Sequence, residues 1–225
     1  MILRYLKKLK ELLISFKVKM SWILFYDQPN ITSSFTAKIK VSHGIAQGPF
    51  YPQPEKSKNE IIWKGMYFTD KTGRGKIEIN GKNYLYLFYN SNRLDPSVHF
   101  EGETFILTRK SYLQQFTVLM EKMGLSIVEE NDMITTWTLQ MEEKPFTLLT
   151  IISPESLNQF VPLHVDGFEQ YHRVIVAIEQ LNSSQLAQVI QSKTIKQINE
   201  VTPRIRPTGK CIVEWGGFFT SEYQN

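Results

Sequence analysis

The chain holds one cysteine, Cys211, in 225 residues. That leaves no partner for an internal disulfide and no cysteine pair for a zinc knuckle. No uncharged apolar run approaches 18 residues, which excludes an expected transmembrane helix. Glycine (12) and proline (10) are at ordinary levels, which excludes collagen-like and low-complexity classes. The signatures of common enzymes are missing too. There is no Gly-x-Ser-x-Gly elbow and no Gly-x-x-x-x-Gly-Lys-Ser/Thr loop. Thr72–Gly75 (TGRG) and Pro207–Lys210 (PTGK) each set glycine beside a cation, but neither has the spacing that wraps a phosphate. No cofactor is expected.

What is present is core material. Hydrophobic residues make up 42% and aromatics 12%, enough for a sizeable buried interior and too much for a disordered chain. The net charge is +4, and it is unevenly placed. Residues 1–19 carry Arg4, Lys7, Lys8, Lys10, Lys17 and Lys19 against Glu11. Six cations against one anion leave the rest of the chain one charge below neutral. Basicity is therefore local, whereas a dedicated nucleic-acid binder is basic across its domain.

The same segment is amphipathic. Ile2, Tyr5, Leu6, Leu9, Leu13 and Phe16 recur at three- and four-residue steps, the period of one helical face. The pattern predicts a basic helix over residues 2–18. Such a helix docks in a partner's groove or lies on an anionic membrane surface.

The body divides into two patterns. Residues 21–152 are strand-rich: Ser21–Asp27, Phe35–Val41, Glu60–Thr69, Lys76–Ile79, Lys82–Tyr89 and Phe100–Leu107 alternate or are β-branched and aromatic. Asn80-Gly81 marks a hairpin turn. Ser111–Met123 reads as a helix, and Leu125–Glu129, Ile134–Gln140 and Phe146–Ile152 as further strands. Phe168–Leu181 and Ser184–Val201 read as helices, followed by a last strand at Cys211–Trp215. The expectation is α+β: a mostly antiparallel sheet over 21–152, C-terminal helices over 155–201, and an N-terminal amphipathic helix. Residues 1–19 form the appended helix and 20–225 a single domain.

Three sets of candidate residues follow. His164, Asp166 and His172 are ligand types that hold divalent metals, gathered within nine residues. Tyr84 and Tyr86 beside Arg74 and Lys76, with Arg204, Arg206 and Lys210, offer stacking rings and phosphate partners for a single-stranded nucleic acid. Leu6, Leu9, Leu13 and Phe16, with Phe50 and Tyr51 of a long proline-rich loop, are candidates for docking on a protein or a membrane. Cys211 reads as a buried thiol. The expected function is a non-enzymatic, protein-binding subunit or adaptor. The alternatives are a single-stranded nucleic-acid binder and a metal-dependent enzyme. The expected location is intracellular and cytoplasmic.

Overall fold

The computed structural model describes residues 19–42, 44–45, 48–90, 93–94, 98–138, 141 and 144–220. Ten strands fill the first half: β1 (Lys19–Tyr26), β2 (Thr32–Lys40), β3 (Gly44–Ile45), β4 (Phe50–Tyr51), β5 (Glu55–Lys56), β6 (Glu60–Thr69), β7 (Gly75–Ile79), β8 (Lys82–Tyr84), β9 (Leu87–Asn90) and β10 (Arg93–Leu94). After β11 (Gly102–Thr108) come helices α1 (Tyr112–Glu121) and α2 (Ile127–Thr138). Then follow β12 (Phe146–Ile152), α3 (Pro154–Phe160), β13 (Leu163–Val165), β14 (Tyr171–Leu181), α4 (Ser183–Ser192) and β15 (Cys211–Phe219).

The strands form a seven-stranded sheet in the order β11-β12-β14-β15-β1-β9-β4 and a six-stranded sheet in the order β13-β2-β6-β7-β8, with β5 also paired to β6. β3 and β10 form a separate pair. Pairing is antiparallel except between β14 and β15.

The seven-stranded sheet has a core on each face, as alternation along its strands requires. Ile23 and Phe25 of β1 point toward the second sheet and meet Phe35, Trp63 and Tyr67. Trp22, Leu24 and Tyr26 point the other way, toward the side where Phe116, Met120, Met133 and Trp137 of α1 and α2 pack. At about 1.5–3 kcal/mol per large apolar side chain buried, both faces are needed to hold a chain of this size. Helix α4 covers Leu148 and Leu181 through Val189.

This arrangement corrects the expected layout. The α+β class stands, with mostly antiparallel pairing, but strand is not confined to residues 21–152 and there are two main sheets. Residues 171–181 are strand β14, not helix. This strand lies between β12 and β15 and is buried on both faces, so its apolar residues run nearly unbroken instead of alternating. The helix expected over Ser184–Val201 ends at Ser192, and only a single 3-10 turn at Ile198–Glu200 follows. Conversely, the two strands expected between Leu125 and Gln140 are replaced by α2, whose Glu129, Met133 and Trp137 recur every four residues and are all buried. The helix expected over residues 2–18 lies outside the described residues. None of the four helices described is N-terminal, and Lys19 and Met20 already belong to β1.

Lys82–Tyr89 is not one strand. β8 is an edge of the six-stranded sheet and β9 an inner strand of the other, so the chain changes sheets at Leu85-Tyr86. The hairpin turn before it is as expected, with positive φ at Asn80 and Gly81.

Candidate docking surface

The connection from α4 to β15 ends in an extended strap, residues 201–210. It crosses the ends of several elements and is bonded to each. The Thr202 backbone N–H and hydroxyl donate to the Glu103 carboxylate on β11. The Arg204 N–H donates to the Lys122 carbonyl at 2.9 Å, just past α1. The Arg204 guanidinium donates to the carbonyls of Arg173 (2.9 Å) and Ile152 (2.8 Å). Arg206 donates to Glu129 of α2 at 2.7 Å and lies 4.1 Å over the Tyr26 ring. Lys210 pairs with Asp27 at 3.5 Å and sits over Phe168.

Electrostatics follow from these contacts. Burial pulls the Arg204 guanidinium below its ordinary value. Burial acts the same way on Arg206, but Glu129 and Tyr26 outweigh it and the net shift is upward. Burial and the Glu129 charge push the Tyr26 phenol up. Beside the strap a cleft of about 330 Å³ is lined by Tyr26, Asp27, Thr72, Arg206, Gly209 and Cys211 among others. The Cys211 thiol is buried and shifted upward by that burial, the condition of an unreactive thiol.

Between the two locked arginines stands Ile205, 92% exposed. The strap runs directly against Gly124, where an added Cβ would lie 2.6 Å from the Arg204 carbonyl oxygen and 3.1 Å from the Arg206 nitrogen. Ile127 (68% exposed) and Val128 (46%) open the helix that Arg206 grips. On the same helix pair, Glu130 is raised first by burial and then by the charge of Glu121. Exposed aliphatic side chains thus stand on the braced strap and on the helix it grips, and that helix also carries Glu130, which Glu121 repels.

No protein family, curated protein or solved structure matches the chain.

The candidates read from the sequence are placed as follows. Arg204, Arg206 and Lys210 direct their cations to partners within the chain. Lys76 is exposed on β7, and Arg74 is half-buried next to it. Tyr84 and Tyr86 meet Tyr51: the ring centroids of Tyr51 and Tyr84 are 5.2 Å apart, and those of Tyr51 and Tyr86 6.2 Å. Phe50 turns into the core between the sheets while Tyr51 is 53% exposed. Leu6, Leu9, Leu13 and Phe16 lie outside the described residues.

The metal triad is not assembled. His164 is on the edge strand β13, and its Nε2 lies 3.2 Å from Oδ1 of Asp166 just past the strand; both side chains are exposed. His172 is on β14, buried, with Nε2 2.6 Å from the Met123 carbonyl. Among the described residues no three His, Cys, Asp or Glu side chains group as metal ligands. No helix among the described residues is long and apolar enough to cross a membrane.

Sequence reasoning missed Ile205, Ile127, Val128 and Glu129. A lone isoleucine between two arginines carries no periodic signal. Its exposure follows from bonds made by its neighbours across 31 to 77 residues of sequence.

Proposed function

We propose that this protein acts by binding another protein, as a non-enzymatic subunit or adaptor of a larger assembly. Ile205 is its anchor. The supporting observation is the near-complete exposure of a large aliphatic side chain on a strap whose flanking residues are both fixed. Little backbone freedom is lost when such a residue enters a pocket, so binding keeps most of the burial energy. A few well-packed residues carry most of the energy of an interface. Ile127 and Val128 extend the apolar contact. Glu121 and Glu130 favour a partner whose pocket carries a cation at its rim.

The test places a photoreactive amino acid at position 205 of the full chain and cross-links in the native host. One protein cross-linked there, and lost from complexes of Ile205→Asp, is the expected result. Size-exclusion light scattering with a fluorescent polynucleotide provides the opposing arm. Co-elution at low salt that vanishes at high salt is the signature of phosphate contacts. That outcome, without a protein cross-link, overturns the proposal in favour of nucleic-acid binding through Tyr84, Tyr86 and the neighbouring cations.

A further inference from the structure

Register places four aromatic residues in one row across the helix-facing side of the seven-stranded sheet. Tyr51 of β4 pairs with Phe88 of β9, Phe88 with Trp22 of β1, and Trp22 with Trp215 of β15. Three of the four rings touch in sequence. Trp22 and Phe88 meet edge to face at 5.1 Å, and Trp22 stacks on Trp215 at 4.2 Å with the planes 13° apart. Trp215 lies in the core beneath α1 and α2. From there the row opens outward: Trp22 and Phe88 are half-buried and Tyr51 mostly exposed. Helices α1 and α2 pack over β11 and β15 and reach Leu24 and Tyr26 of β1, and exposure along the row increases from there toward the β4 edge. Tyrosine, phenylalanine and tryptophan side by side make a contiguous, partly exposed apolar strip, the kind of surface that a contact covers.

We infer that residues 2–18 of the same chain cover this face. Three observations carry the assignment. The segment joins the fold where it is needed: Lys19 opens β1, three positions before Trp22 and paired with Phe218. Its length suffices, since a row across four strands spans only about 14 Å, which seventeen residues exceed whether helical or extended. Its composition fits. Leu6, Leu9, Leu13 and Phe16 supply aliphatic and aromatic surface for the rings, and Arg4, Lys7, Lys8 and Lys10 supply cations that favour ring faces or remain in water. This contact is separate from the Ile205 surface, and neither inference depends on the other.

The test uses acrylamide quenching of tryptophan emission in the full chain. Trp63, Trp137 and Trp215 are all buried, so quencher access reports chiefly on Trp22. A variant carrying Leu9→Asp and Leu13→Asp, which alters no residue of the described core, is expected to gain quencher-accessible, red-shifted emission. That gain disappears when Trp22→Phe is added, and dilution does not change it. A synthetic peptide of residues 1–18 added to the variant restores protection. Unchanged quenching in the variant overturns the inference. So does wild-type protection that fades on dilution, since a second copy is then the occupant. Wild-type protection found only with anionic vesicles also overturns it, by assigning the segment to a lipid surface. Far-ultraviolet circular dichroism confirms that each variant is folded, and intramolecular Lys7, Lys8 or Lys10 cross-links to Lys56 or Lys82 give an independent reading.

Discussion

Arg173 and Glu214 stand opposite one another in the parallel pairing of β14 and β15, both buried between the two sheets. Arg173 Nε donates to Glu214 Oε2 at 2.5 Å, and its other nitrogens donate to Asn158 Oδ1 and the Val161 carbonyl. The second Glu214 oxygen accepts from the Tyr89 hydroxyl at 2.5 Å. The charges are compensated and each carboxylate oxygen has a donor, the condition under which a buried ion pair is tolerated. The pair ties α3, β9, β14 and β15 together at one point.

Removing one partner is therefore far worse than removing both. Glu214→Leu alone leaves a buried guanidinium uncompensated and is expected to cost about 3–5 kcal/mol. Arg173→Met with Glu214→Leu is expected to recover much of that loss. Urea unfolding of the two single variants and the double variant measures this. A double variant no more stable than the worse single one would show that the pair is not the energetic unit.

His172 gives the fold a pH dependence of known sign. Burial lowers its imidazole below the ordinary value. The Arg206 and Arg204 cations push the same way, while the Met123 carbonyl and Glu129 oppose them. The folded state thus favours the neutral ring, with Nε2–H donating to Met123. From about pH 6.5 down to the folded value the unfolded chain binds the extra proton, so stability falls as pH falls, by at most about 1.4 kcal/mol per pH unit. Denaturant unfolding between pH 7.5 and 5 is expected to show this slope in the native chain and a shallower one in His172→Gln. Asp27 and Glu103 are each raised by burial but lowered further by their hydrogen-bond donors, for a net downward shift. Their contribution is lost only at lower pH, as it falls through their depressed values.

Much of the first half was legible in the sequence. Glu60–Thr69 has the predicted bounds, and Asn80-Gly81 makes the predicted turn, because alternation and turn chemistry are local. β14 was misread because a strand buried on both faces has no polar side to alternate with, and its apolar spacing also fits a helix. α2 was misread for the opposite reason. Ile127, Val128, Ile134, Thr135 and Thr136 are β-formers by propensity, yet packing of Met133 and Trp137 on the sheet decided the outcome. Tyr51, Tyr84 and Tyr86 were each picked out, but for different roles. Their meeting depends on two edge strands of different sheets ending side by side, which no local pattern encodes.

His164 and Asp166 are expected to hold no metal with stoichiometric affinity. They are two exposed side chains at the end of an edge strand, and His172 is buried on β14. Elemental analysis after dialysis against zinc or iron(II) should give the same content for the native chain and His164→Ala. A loss of one equivalent in the variant would restore the metal reading.

Gly124 separates the strap's rigidity from the chemistry of its tip. Its φ of +68° already disfavours a side chain, and a Cβ there would press on the Arg204 carbonyl and the Arg206 nitrogen. Gly124→Ala must therefore shift the strap, at an expected cost of about 1–3 kcal/mol. Ile205→Asp alters an exposed tip and should change stability by no more than about 0.5 kcal/mol. Both variants are expected to weaken partner binding, one by moving the anchor and the other by replacing it. Thermal unfolding beside partner-binding titrations distinguishes the two routes. If Gly124→Ala loses stability but binds as well as the native chain, the braced presentation of Ile205 contributes nothing to recognition. If Ile205→Asp unfolds as readily as Gly124→Ala, the isoleucine is part of the fold, not of an interface.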